Sequence, residues 1–149
     1  MDILVEDKQT DLHIDAPAVK AIAKAVVAFE GRKYDEVAIH FVSKIDICDL
    51  HAEFFDDPSP TDCISFPIDD PDDQISGYRV LGDIFVCPAT ALEYAAENQS
   101  TPFYETTLYI VHGLLHLMGY DDIEEAERVR MRNAEERHMS HLKTKGLWL

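Results

Sequence analysis

Basic side chains are scarce in this chain. Lys and Arg number 13 against 29 Asp and Glu, which gives a net charge of −16 over 149 residues. Charge of that sign keeps a protein in solution and repels nucleic acid at long range, so taken alone it argues against a nucleic-acid partner. No apolar run reaches the roughly 18 residues of a spanning helix, so no membrane segment is expected. The first residues, MDILVEDKQTDLHID, lack a basic start followed by an apolar stretch. No secretory signal is therefore expected, and the cytoplasm is the default location. Cysteine is confined to Cys48, Cys63 and Cys87. Their number is odd and none forms a CxxC pair. Each sits in an apolar run and reads as a buried small hydrophobe in a reducing compartment, not as a metal ligand. Repeats, Gly/Ser linkers and low-complexity tracts are missing, which excludes collagen-like and coiled-coil chains.

What is present suits one domain. With 46% apolar residues, residues 1–149 are expected to bury a core without disulfides. Residues 2–6 suggest a strand. Asp15 and Pro17 mark a helix start, and Val19, Ile22, Ala23, Val26, Val27 and Phe29 follow at helical spacing up to Gly31. Val37, Ile39 and Phe41 alternate as in a strand. Ser43 should cap a short helix carrying Ile45, Ile47, Leu50 and Phe54. Residues 56–60 form a loop, and Cys63–Pro67 reads as a short strand. A turn or mobile loop is expected over 69–77, then a strand over Leu81–Cys87. Helices are expected from Pro88, from Pro102 to Gly119, and over about 123–143, the last with Ala126, Val129 and Met139 as core contacts. Five helices and four strands without a regular βαβ repeat predict an α+β fold with one mixed sheet.

Charge is unevenly distributed. Residues 46–73 hold ten carboxylates and no Lys or Arg. Residues 123–149 carry six basic and five acidic side chains. Such a run is either a solvated face or a surface for a basic partner.

The chemistry concentrates in VHGLLHLMGYDD, residues 111–122. His112 and His116 fall on one helix face, with Cβ atoms about 5–6 Å apart. Gly119 can turn the chain sharply and return Asp122 towards the two imidazoles. Three protein ligands plus an open fourth position make the arrangement of a catalytic zinc site. A zinc protease would place a Glu after the first His as general base; Gly113 stands there and cannot take a proton.

This segment resembles the YbeY family of bacterial rRNA-maturation endoribonucleases. The family pattern H-G-x-L-H-L-x-G-Y-D-H is matched from His112 to Asp121, and Asp122 replaces its last His. Upstream, Pro60–Pro67 (PTDCISFP) is similar to the family's PTDVLSFP. Leu81-Gly82-Asp83-Ile84 matches its LGDI, and order and spacing agree over about residues 37–137. The resemblance implies a mixed four-stranded sheet with surrounding helices. It also implies a metal-dependent endoribonuclease, preferring single strands, that acts in 16S rRNA 3′-end maturation and ribosome quality control. The expected partners are the 16S rRNA precursor, a small-subunit protein and an assembly GTPase.

Two departures bear on the mechanism. Asp122 makes the ligand set His₂Asp, which should lower the Lewis acidity of a bound Zn²⁺ and admit Mn²⁺ or Co²⁺. Phe55 stands where the family carries an Arg over the cleft; it either packs in the core or stacks on a base. A phosphate contact must then come from elsewhere, with Arg79, Lys44, Arg128, Arg130 and Arg132 as candidates. Asp62 and Ser65 are expected to line the cleft. Asp83 or Asp121 is expected to orient a ligand histidine through its second ring nitrogen. His13, His40, His51, His138 and His141 are not expected to be ligands, and the last two should face solvent. Trp148 and Leu149 either dock or fray. Beside the nuclease stand two other readings: an assembly factor with a structural metal, and a degenerate metal hydrolase.

Overall fold

A computed structural model of the chain describes residues 1–70, 72 and 77–149. Its elements are β1 (Asp2–Lys8), α1 (Ala16–Phe29), β2 (Glu36–Val42), α2 (Lys44–Phe55), β3 (Cys63–Pro67), β4 (Val80–Val86), α3 (Pro88–Asn98), α4 (Pro102–Leu117) and α5 (Glu125–Lys145). The expected loop at 69–77 falls mostly outside the described residues.

The sheet runs β1-β2-β4-β3. β1 and β2 pair in parallel, as do β2 and β4, while β3 runs antiparallel to β4. The expected α+β fold with one mixed four-stranded sheet and five helices is therefore what forms. Alternation sorts the side chains between two faces, and an irregularity of β4 around Gly82 lets Leu81 and Ile84 share one of them. Val37, Ile39, Phe41, Leu81, Ile84 and Val86 join the main core with α1, α4 and α5. On the opposite face Val42, Ile64 and Cys87 pack on Ile47 of α2 in a smaller cluster.

Helix ends follow the local chemistry. The Ser43 and Thr101 hydroxyls accept hydrogen bonds from the backbone N–H of Asp46 and Tyr104. Glu124 and Glu127 form a reciprocal capping box on α5. Asp15 takes the N-cap position of α1 without a side-chain bond, so Pro17 sets that start.

α4 is the central helix, and Gly113 shows how closely it meets the sheet. A Cβ there would lie 2.7 Å from Ile84 Cγ2 and 3.4 Å from Cys63 Sγ. A glutamate at this position would have no room, so packing as well as chemistry excludes the protease arrangement. α5 departs from the expected contacts. Ala126 is exposed and Val129 is 53% exposed. Its buried residues are Met131, Ala134, His138, Met139 and Leu142, a stripe that includes Met139 as expected but begins five residues after Ala126.

His138 also departs from expectation. It is fully buried, and its Nε2 stands 2.7 Å from Glu30 Oε1 at the end of α1. His141 stacks on Phe29 with ring centroids 3.9 Å apart. The end of α1 covers both rings, which a reading of α5 in isolation as a polar helix could not show. All three cysteines are free; Cys87 is buried, and Cys48 and Cys63 are partly so. Trp148 docks, with its ring 5.6 Å from that of Tyr104.

Candidate metal centre

α4 delivers two histidines at its C-terminal end. His112 and His116 are one turn apart, and their rings meet edge to face at 4.6 Å. The helix ends at Leu117, and Gly119 adopts φ 103°, a left-handed conformation that suits glycine. The chain folds back, with Tyr120 N–H donating to the Leu115 carbonyl at 3.0 Å. Asp122 Oδ2 then lies 3.6 Å from His112 Nε2 and 3.3 Å from His116 Nε2.

These distances test the fit of a metal. Ligand atoms of a tetrahedral site with bonds of about 2.1 Å stand roughly 3.4 Å apart. The three donor atoms all lie within 4.8 Å of one another, and both histidines turn Nε2 inward. The donor set therefore suits a small divalent cation.

The surrounding residues hold the ligands. Glu135 Oε1 of α5 accepts a hydrogen bond from His112 Nδ1 at 2.8 Å, which leaves the Nε2 lone pair for a cation. Burial works to lower the His112 pKa, but the hydrogen bond and charge of Glu135 outweigh it and raise the value. The ligand turn is tied down by Tyr120, whose hydroxyl donates to Glu30 Oε2 at 3.2 Å. Arg137 and His138 converge on Oε1 of the same carboxylate at 3.0 and 2.7 Å. Cys63 lies close by. Burial, reinforced by Asp62, Asp122 and Glu135, pushes its thiol well above the usual range.

Two pockets meet at the cluster. One, of about 350 Å³, is lined by His51, Phe55, Thr61–Ser65, His112, His116 and Asp122. The other, of about 310 Å³, has walls from α3, α4 and α5 and shares Asp62, His112 and Asp122 with the first. Asp62 and Ser65 thus lie where the sequence suggested, beside the histidines. Phe55 is 55% exposed at the mouth of the first pocket, so it is not a core residue.

Three expected residues lie elsewhere. Asp83 alternates with Ile84, which packs on α4, so its carboxylate faces the other side of the sheet and meets His40 Nε2 at 3.2 Å. Asp121 precedes the inward-facing Asp122 and lines a separate pocket with Glu30 and Tyr120. The orienting carboxylate is Glu135 instead. Arg79 precedes β4 at the end away from Val86, the partner of Cys63. Its Nη2 donates to the Asp70 carbonyl at 3.2 Å, its guanidinium lies 5.0 Å from the Tyr34 ring centre, and it lines neither pocket at the cluster. Glu135 was missed by sequence reasoning. Its one signal was a carboxylate on the same helix face as Met131 and His138.

A pair of helical imidazoles and a turn-borne carboxylate, set where two pockets meet, form a donor group that could hold a metal ion, and three protein donors are the number that hydrolytic zinc sites use. The family follows from comparison. A family model described as Endoribonuclease YbeY matches residues 4–143, and the chain belongs to that family. A protein named Endoribonuclease YbeY from Protochlamydia amoebophila is 51% identical over 99% of this chain and 97% of its own length. Proteins of the same name from Chlamydia muridarum and Finegoldia magna are each 35% identical, over 94% and 99% of this chain and 87% and 96% of theirs. The solution structure of a Thermotoga maritima protein shares the fold, with a TM-score of 0.67 at 24% identity over 97% of this chain and 91% of that one. No helix among the described residues is long and apolar enough to cross a membrane.

Proposed function

We propose that this chain, as a single domain over residues 1–149, is a metal-dependent endoribonuclease that cuts single-stranded RNA in the cytoplasm. Its role is 16S rRNA 3′-end maturation and ribosome quality control, with a small-subunit protein and an assembly GTPase as partners. The observation that carries the reading is the convergence of His112, His116 and Asp122 at the junction of two pockets. These three residues would hold one divalent ion, with Zn²⁺ favoured by two imidazoles and a carboxylate and Mn²⁺ or Co²⁺ also suited. When bound, the ion supplies Lewis acidity towards a phosphate oxygen and towards water.

The chain's own residues supply the rest. Glu135 keeps His112 in one tautomer and one orientation. Glu30 and Tyr120 hold the Asp122 turn. Asp62 is fixed by the Cys63 N–H, which donates to its Oδ1 at 2.6 Å. Its Oδ2 is left to accept from a ribose hydroxyl or a water. Ser65 offers a hydroxyl on the same wall, and Phe55 presents an aromatic face to a base.

The test is cleavage of single-stranded RNA by the purified protein with and without chelator, beside His112→Ala. Chelator-sensitive cleavage that is lost in the variant is expected. Intact RNA with protein carrying a full equivalent of metal would overturn the nuclease reading in favour of an assembly factor with a structural ion.

A further inference from the structure

Arg128, Arg130 and Arg132 alternate along α5. Helical geometry places residues four apart on one face and the residue between them on the other. Arg128 and Arg132 line the pocket that contains His112, Asp122, Asp62 and Glu135. Arg130 lines the separate pocket beside Glu30, Tyr120 and Asp121. Among the described residues, no other Lys or Arg lines either pocket that meets the metal cluster.

Both guanidinium groups have donors to spare. Arg128 spends Nη1 on the Ile123 carbonyl at 2.7 Å, which anchors it beside the ligand turn. Arg132 is exposed and has no hydrogen bond or ion pair among the described residues. A guanidinium carries five N–H donors in a fork that matches a phosphate.

Charge makes the need for these residues acute. A chain of net charge −16 repels a polyanion at a distance. Within the pocket, Asp62, Glu105, Asp122 and Glu135 oppose the two arginines. A divalent ion would bring that wall to balance, so each arginine decides whether a phosphodiester finds net attraction there. We propose that Arg128 and Arg132 form the phosphate-binding edge of the cleft and grip the RNA backbone on the α5 side of the metal ligands. This assignment rests on the RNA reading above.

The experiment measures binding of the full-length, zinc-loaded protein to a fluorescein-labelled, nuclease-resistant phosphorothioate single strand across a salt series. Each phosphate contact on a single strand contributes roughly 0.7 to the slope of log affinity against log salt. Arg128→Ala and Arg132→Ala should each lower that slope by about 0.7 and weaken binding alike for every sequence tested. Arg130→Ala removes the same charge from the same helix and should leave the slope unchanged. Arg132→Lys should restore the slope with only part of the affinity, which separates phosphate contact from loss of fold. Equal losses in all three alanine variants, or unchanged slopes, would overturn the assignment while leaving the RNA reading intact. A wild-type protein that fails to bind the strand at all would overturn both.

Discussion

Removing the Glu135 carboxylate should loosen metal binding without touching a ligand. Glu135 Oε1 stands 2.8 Å from His112 Nδ1, and its side chain is 15% exposed. A hydrogen bond to a charged group in such a place contributes about 1.5–3 kcal/mol. Loss of a partner that orients a ligand histidine weakens metal affinity about 10- to 100-fold, or roughly 1.4–2.8 kcal/mol. The two ranges overlap, so the hydrogen bond alone accounts for the effect. Glu135→Gln keeps an acceptor but loses the charge and should fall near the tenfold end. Glu135→Ala removes both and frees the imidazole to rotate, so it should approach the hundredfold end. Competition with a chromogenic chelator for Zn²⁺ reads both directly. Asp83→Asn and Asp121→Asn serve as controls and should leave affinity within about twofold, well short of the tenfold loss above. An unchanged affinity in Glu135→Ala, or a large loss in Asp83→Asn, would refute the assignment.

Gly113→Ala should destabilise the protein in urea by about 1 kcal/mol. Overpacking against Ile84 costs roughly 1–3 kcal/mol and outweighs the helix propensity that alanine adds; a stabilised variant would contradict the packing. Acid should unfold the protein in two stages. Burial holds the His138 pKa below its ordinary 6.5, and its Nδ1 is buried without a partner, so the folded state keeps this ring neutral. The unfolded chain then binds more protons, and stability that is full above about pH 6.5 declines as pH falls through that value. Burial works to raise the Glu30 pKa, but hydrogen bonds from His138, Arg137 and Tyr120 hold it below 4.5. Its contribution is therefore lost further down, as pH falls below that value. Urea midpoints measured across this range should drop less steeply for His138→Gln than for the wild type; parallel curves would show that His138 is not the titrating group.

Local pattern made most of the elements legible. β3 begins and ends at Cys63 and Pro67 as expected, Ser43 caps the helix it was expected to cap, and α4 starts at Pro102. The convergence of His112, His116 and Asp122 was legible because helix pitch and a turn glycine operate within eleven residues. Its supports were not, because they arrive from distant parts of the chain. Glu135 is 23 residues from His112, and Glu30 is 108 from His138. No spacing rule reaches that far, and the candidates were instead Asp121, beside Asp122, and Asp83 of the LGDI segment. Alternation in β4 is interrupted at Gly82, so counting from Leu81 would have placed Asp83 on the core face, whereas the strand turns it to the other. Arg79 failed for a related reason: sequence places it before β4 but does not show which end of that strand lies beside the histidines.

The dependence on α5 has a consequence for the order in which the site matures. A growing chain presents His112, His116 and Asp122 before Glu135, Arg137 and His138 have been synthesised. Until then one ligand histidine lacks its orienting carboxylate, and the Glu30 anchor lacks two of its three partners. The histidine–aspartate motif is thus written into the chain before it can be assembled. A polypeptide still emerging from the RNA-rich machine that makes it would carry an unfinished centre, completed only when its C-terminal helix folds back.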